Sequence, residues 1–238
     1  MQSASDAYSG VENLEVMEVA HRYRRYLGEL ISAAGGPPRP GQRTLDFGAG
    51  VGTYARVARQ LGYAVTCCEL DPTLRRRLSD DGFATTAGLS GLLDGHIDFA
   101  YTLNVLEHID DDAATLAAIL RVLAPGARLL IYVPAFPILF SAMDRKVGHV
   151  RRYRRRQLVE RVEKAGFTVQ SCRHADSLGF LASLVLRLAP GGDGTLHVRT
   201  VAFYDRWIFP LSRRLDRLTA PVVGKNLALV AIRPGPRP

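Results

Sequence analysis

The stretch Leu45–Ala55, LDFGAGVGTYA, places Gly48, Gly50 and Gly52 within five residues, behind an apolar run and ahead of a helical pattern. Strand, bare loop and helix in succession form a nucleotide-type binding turn, because missing side chains let a ligand approach the backbone near a helix N-terminus. The dinucleotide fingerprint spaces its glycines G-x-G-x-x-G. Here the spacing is G-x-G-x-G, and Asp46 stands two residues before the first glycine. A carboxylate there has the wrong sign for a pyrophosphate and the right sign for an ammonium or sulfonium. The next strand ends in Glu69, an acid placed to accept hydrogen bonds from two ribose hydroxyls.

The hydrophobic pattern extends this unit along the chain. Strands are predicted over Arg43–Phe47, Ala64–Glu69, Ala84–Ala87, Ile97–Leu103 and Ala127–Val133, with helices over Thr53–Leu61, Pro72–Asp80 and Asp112–Leu123 between them. Such alternation implies crossover units, hence an α/β, doubly wound, Rossmann-like parallel sheet with helices on both faces. Asp71 before Pro72 reads as a cap followed by proline at the first helical position. The run Gly35–Gln42 punctuates the chain after a helical pattern from Val11 to Ala33. Farther on, a helix ending at Gly166 leads to a strand over Thr168–Cys172, and the last strand covers Asn226–Arg233. Between these strands Phe203, Tyr204, Trp207, Ile208, Leu211, Leu215 and Leu218 recur at three- and four-residue steps, opposite several arginines. Pro210 is expected to kink or split that helix. The organisation expected is a single domain: helical cover 1–36, cofactor-binding core 43–174, helical insertion 175–223 that covers the substrate, and last strand with tail 224–238.

The net charge of +8 is concentrated between Arg145 and Lys164. A local basic strip suits phosphate, RNA, anionic lipid or an acidic substrate, or is simply a solvated helix face. Cys67, Cys68 and Cys172 match neither a zinc site nor a disulfide framework, so no metal is expected and a reducing, cytoplasmic setting is. The first twenty residues lack the pattern of a secretory signal, and no window reaches about 18 uncharged apolar residues, the length of a spanning helix.

Three segments, LDFGAGVGTYA (Leu45–Ala55), CCELDP (Cys67–Pro72) and LNVLEHIDDD (Leu103–Asp112), resemble class I S-adenosylmethionine-dependent methyltransferases, in the branch that methylates small molecules such as quinones and sugars. The segment Gly148–Phe167 is similar to a recurrent piece of that branch. The resemblance implies a seven-stranded sheet with an antiparallel last strand. It also implies S-adenosylmethionine as cofactor, lying along the carboxyl ends of strands one to four. Carried over by position, Asp46, Gly48, Ala49, Gly50 and Gly52 line the methionine part and Glu69 holds the ribose. Leu70 flanks the adenine, Leu89 and Ser90 lie near its edge, and Asn104 sits under the methionine portion.

Methyl transfer needs alignment of nucleophile, methyl and sulfur, and a hydroxyl or ammonium nucleophile must also lose a proton. His108, after the fourth strand, and His149, in GHVRRY, are the candidate bases; loop ordering by Glu107 and His108 is the structural alternative. Tyr23, Arg151, Arg152 and Tyr153 are candidate substrate contacts, with Asp144 available to pair with an arginine. A small-molecule methyltransferase is the leading expectation. An RNA methyltransferase is the second, although the place after the fourth strand reads Asn104-Val-Leu-Glu and lacks the aromatic grip of base-amino enzymes. A cofactor-binding fold with another activity is the third. The expected partner is a small-molecule acceptor, with no DNA, RNA disfavoured, peripheral membrane contact by the insertion open, and a monomer or homodimer.

Overall fold

The apolar runs pair into one seven-stranded sheet in the order β3-β2-β1-β4-β5-β7-β6. The computed structural model describes residues 19–188 and 197–235. The strands are β1 (Arg43–Phe47), β2 (Ala64–Cys68), β3 (Ala84–Thr86), β4 (Ile97–Leu103), β5 (Leu123–Pro134), β6 (Thr168–Ala175) and β7 (Asn226–Ile232). β1 to β5 are parallel, and β7 runs antiparallel to both β5 and β6.

Each face is closed by helices whose apolar stripes match the sheet. On one side α1 (His21–Gly35), α2 (Thr53–Gln60) and α3 (Pro72–Asp80) bury Leu27, Ile31, Ala55, Ala58 and Leu78 against Phe99, Tyr101 and Tyr132. On the other, α4 (Asp112–Val122) and, beyond the short α5 (Ala142–Lys146), α6 (Arg155–Lys164) bury Leu116, Ile119, Leu158 and Val162 against Leu129, Ile131 and Leu229. The predicted cap holds: Asp71 accepts the amides of Thr73 and Leu74 at 2.7 and 3.0 Å. The first part of the predicted leading helix, 11–18, lies outside the described residues.

The insertion forms α7 (Ser177–Leu188), α8 (Val198–Phe203) and α9 (Phe209–Thr219), with a wide π turn over Tyr204–Ile208 joining the last two and Pro210 in the first turn of α9. Its buried face is not the apolar stripe of the periodic reading, although Arg206, Arg213, Arg214 and Arg217 are exposed as expected. Asp205, Phe209 and Ser212 are buried, whereas Phe203, Trp207, Leu211, Leu215 and Leu218 are exposed. The cause is polar. The Asp205 carboxylate accepts the amides of Arg22 and Tyr23 at 3.0 and 2.8 Å. It thereby caps α1, which has no side-chain cap of its own. Asp216 does the same for Asp176 and Ser177 at the start of α7, at 2.7 and 2.9 Å. Satisfying four helix-end amides outweighs burying a leucine stripe. Among the described residues no helix is long and apolar enough to cross a membrane.

Candidate active site

The strand order reverses between β1 and β4, and the crevice at such a switch point is where this architecture binds ligands. Asp46 and Asn104 fall at the carboxyl ends of β1 and β4, which flank it, and Glu69 at that of the neighbouring β2.

Asp46 is in register with Cys67 and Tyr101 and almost fully buried, and its Oδ2 has no hydrogen-bond partner. Burial pushes its carboxyl up to about 7; nearby Glu69 adds to this, and the Tyr101 hydroxyl pulls the other way. Glu69 reaches back over the glycine turn. Its Oε2 accepts the Gly50 amide at 2.7 Å and its Oε1 the Asp71 amide at 2.9 Å. The Gly48 and Ala49 amides bond to the Cys68 carbonyl, and the Gly52 amide to that of Ala49. Four amides of the loop are therefore spent inside the protein. A pyrophosphate cradle needs such amides pointing at the ligand, and this turn instead presents a buried carboxylate with one unpartnered oxygen.

The glycines have a second reason. Gly48 and Gly52 sit at φ 79° and 82°, and an added Cβ would stand 2.4 Å from Val105 and 2.6 Å from Leu78. Their bareness serves the packing of the β4–α4 turn and of α3 on the loop, in addition to the ligand approach expected from the sequence. Asn104 adopts φ 56° and donates its amide to the Tyr132 carbonyl at 2.7 Å. A left-handed asparagine at a strand end marks a site where backbone geometry is imposed.

Other expected contacts divide. Leu70 is 81 % exposed beside Glu69, and Ser90 is exposed, so both are open to a ligand. Leu89 is not: its side chain is buried in the core with Leu116 and Ile119, which leaves only its backbone for an adenine edge. Tyr23 packs edge-on against Tyr132 and Phe209, with centroids 6.2 and 5.4 Å away.

Part of the basic strip is paired internally, which argues against Arg151, Arg152 and Tyr153 as substrate contacts, whereas Arg145, Lys146, Arg154, Arg155, Arg156 and Lys164 are exposed. Arg152 is buried and grips Asp144 with Nε at 2.8 Å and Nη2 at 3.0 Å. Arg151 bonds to Asp112 and to the Asp110 carbonyl. The buried Tyr153 hydroxyl donates to Asp112 at 2.8 Å, and Arg161 also pairs with Asp112. Arg151 and Tyr153 fasten the GHVRRY segment to the start of α4, Arg161 adds α6 to the same anchor, and Arg152 ties the segment to α5.

That fastening brings two distant histidines together. The His108 and His149 rings lie 4.7 Å apart, edge to face. His108 Nδ1 bonds to the Gly148 carbonyl at 3.2 Å and His149 Nδ1 to Asp144 Oδ1 at 2.7 Å. Burial, reinforced by His149, lowers His108 to about 4, so it is a neutral imidazole at physiological pH. Burial works against the Asp144 carboxylate, yet its bonds from His149 and Arg152 hold it well below the usual range. Glu107, a loop-ordering residue in the sequence reading, is completely buried with neither oxygen hydrogen-bonded, and burial raises it to about 8. Its neighbours are distant in sequence: Asp144 lies in α5, and His149 and Arg152 in the loop after it.

A family model described as a methyltransferase domain matches residues 19–172. The chain belongs to that family. S-adenosylmethionine is accordingly its cofactor, and the residues fit it: an orphaned carboxylate for a cation, Glu69 for hydroxyls, and loop amides closed to phosphate. The chain is 32 % identical over 141 residues to an uncharacterized 37.1 kDa protein in transposon TN4556 of Streptomyces fradiae, which covers 54 % of this methyltransferase and 39 % of that protein. It is 32 % identical over 130 residues to the O-methyltransferase resE of Aspergillus sclerotiorum, covering 49 % and 47 %. The chain thus spans less than half the length of these curated relatives. Among solved structures, the methyltransferase bound to the Haloferax volcanii activator Trm112 superimposes with a TM-score of 0.67 at 15 % identity, covering 98 % of this chain and all of that one. That likeness concerns the fold.

A separate cleft of about 870 Å³ lies between α1, α9 and the β5–β7–β6 end of the sheet, among Arg22, Arg25, Arg128, Arg173, Arg213 and Arg217. None of Asp46, Glu69 and Glu107 lines it, so it is distinct from the switch-point crevice.

Proposed function

We propose that this methyltransferase moves the methyl group of S-adenosylmethionine to an oxygen or nitrogen of a small-molecule acceptor: a sugar, a lipid-linked glycan or a secondary metabolite. The observation that carries the reading is the glycine turn with its amides internally satisfied, set between Asp46, whose Oδ2 is unpartnered, and Glu69. The cofactor supplies a sulfonium-bound methyl for in-line displacement. Asp46 offers negative charge to its cationic end, and Glu69 retains lone pairs for hydroxyl donors while holding Gly50. His108 is a neutral ring in the turn directly after β4, able to accept a proton from an acceptor hydroxyl or ammonium. His149 is oriented by Asp144 for the same task. The O-methyltransferase relative supports oxygen as the first acceptor atom to try.

An RNA acceptor is the weaker reading. Arg151, Arg152 and Arg161 are paired with aspartates, which withdraws three charges from the strip a phosphate backbone would need. The deciding experiment combines calorimetry with S-adenosylmethionine and incubation of labelled cofactor with metabolite extracts. Binding that survives in Glu69→Ala unchanged, or label that enters only RNA, would overturn the proposal.

A further inference from the structure

We propose that Glu107, His108 and His149 form a binding site for a divalent transition-metal ion. One ligand atom from each lies within 4.8 Å of the other two. They come from two segments, the turn after β4 and the loop after α5, that the Asp112 and Asp144 pairings hold together.

Three features distinguish this set from a chance cluster. First, Glu107 is a fully buried carboxylate whose two oxygens both lack a hydrogen-bond partner, an arrangement that costs free energy unless a cation or donor occupies the gap. His149 Nε2 lies 3.8 Å from its Oε1, beyond hydrogen-bonding distance. Second, both imidazoles are held through Nδ1, His149 by the Asp144 carboxylate and His108 by the Gly148 carbonyl. With Nδ1–H donating in each, the lone pair is at Nε2, the tautomer a metal ligand needs. A carboxylate or carbonyl behind a histidine is the usual support of a ligating ring. Third, the support is itself locked: Asp144 receives Arg152 from two nitrogens, and the Ser141 amide and hydroxyl at 2.8 and 3.0 Å. Ligand atoms around one ion stand roughly 3–3.5 Å apart for bonds of about 2.0–2.2 Å, so a side-chain contraction of about an ångström completes the set.

Two imidazoles and one carboxylate select zinc, iron, cobalt or manganese over magnesium or calcium, which prefer all-oxygen shells. Three protein ligands also leave a position open. An acceptor hydroxyl held there would lose its proton more readily, which would replace the base role proposed for His108 and His149, since the ion would occupy their Nε2 lone pairs; this consequence rests on the proposed transfer reaction, and the metal site does not.

The test uses the full chain, stripped with chelator and dialysed. Titration with Zn²⁺ followed by elemental analysis should give one ion per chain, and Co²⁺ should produce visible absorption from an ordered site. Glu107→Gln and His149→Ala should each lower Zn²⁺ affinity at least about tenfold, and Asp144→Asn, acting through His149, by about ten- to a hundredfold. His174→Gln, a histidine outside the cluster, should bind like the parent. Calorimetry with S-adenosylmethionine on Glu107→Gln reports folding and separates failure of the metal site from failure of the cofactor reading. Substoichiometric zinc in the parent, equal zinc in the Glu107 and His149 variants, or binding of Mg²⁺ in place of Zn²⁺ would overturn the proposal.

Discussion

Glu69 Oε2 accepts the Gly50 amide at 2.7 Å, so the acid that closes β2 is tied to the turn that follows β1. The bond spends an amide that a phosphate would need and fixes the carboxylate where hydroxyl donors can still reach it. Glu69→Ala should therefore weaken S-adenosylmethionine binding at least about tenfold, or about 1.4 kcal/mol. Glu69→Gln keeps one acceptor oxygen and should fall between. Calorimetry on the three proteins checks the order, and equal affinities would place the cofactor elsewhere.

Asp46 makes stability and cofactor affinity respond to pH in opposite directions. Its folded value, about 7, lies above the unfolded carboxylate value. The folded state thus binds its proton more tightly, so this contribution is complete below about pH 4 and is lost as pH rises through about 7. The cofactor's positive charge favours the ionised form, so affinity should rise over the same window. In Asp46→Asn the fall in melting temperature between about pH 5 and about pH 8 should flatten, while affinity at pH 8 drops. A parent-like pH profile in the variant would show that Asp46 ionises freely.

Arg152 and Asp144 are a buried, two-point ion pair. Arg152→Ala leaves a carboxylate without its main countercharge, and denaturant unfolding should show a loss of about 3–5 kcal/mol. A substrate-facing arginine on an open surface would cost under about 1 kcal/mol, so the magnitude separates the two roles.

The sheet was legible because its signals are local. The β1 and β4 boundaries coincide with the apolar runs, and Asp71-Pro72 and the glycine turn punctuate the chain where expected. The acids at the strand ends were legible too, since position along a strand fixes them to one edge of the sheet. What was not legible depends on pairing across long sequence gaps. Asp144 was legible as a partner for an arginine, but Arg151 and Tyr153 read as a basic, aromatic face until Asp112 is seen to meet them. Glu107 and His149 gain meaning only when the loop after α5 folds over the turn after β4. The helices of the insertion were legible, but its buried face was not, for another reason. Periodicity assumes that apolar residues choose the buried face, whereas Asp205 and Asp216 chose it by capping α1 and α7.

Gly48 faces two separable constraints, a left-handed backbone at φ 79° and the Val105 side chain where a Cβ would go. Gly48→Ala incurs both. The backbone part should cost about 1–2 kcal/mol, and the 2.4 Å approach to Val105 should add to it by pushing the β4–α4 turn, and Glu107 with it, away from the loop. Val105→Ala removes both γ-carbons and leaves φ untouched. In that background Gly48→Ala should be cheaper by about 0.5–3 kcal/mol, the coupling expected of residues in contact. A double-mutant cycle by denaturant unfolding measures it. Zero coupling would mean that backbone conformation alone demands glycine, and that the turn carrying the candidate ligands is not braced against the cofactor loop.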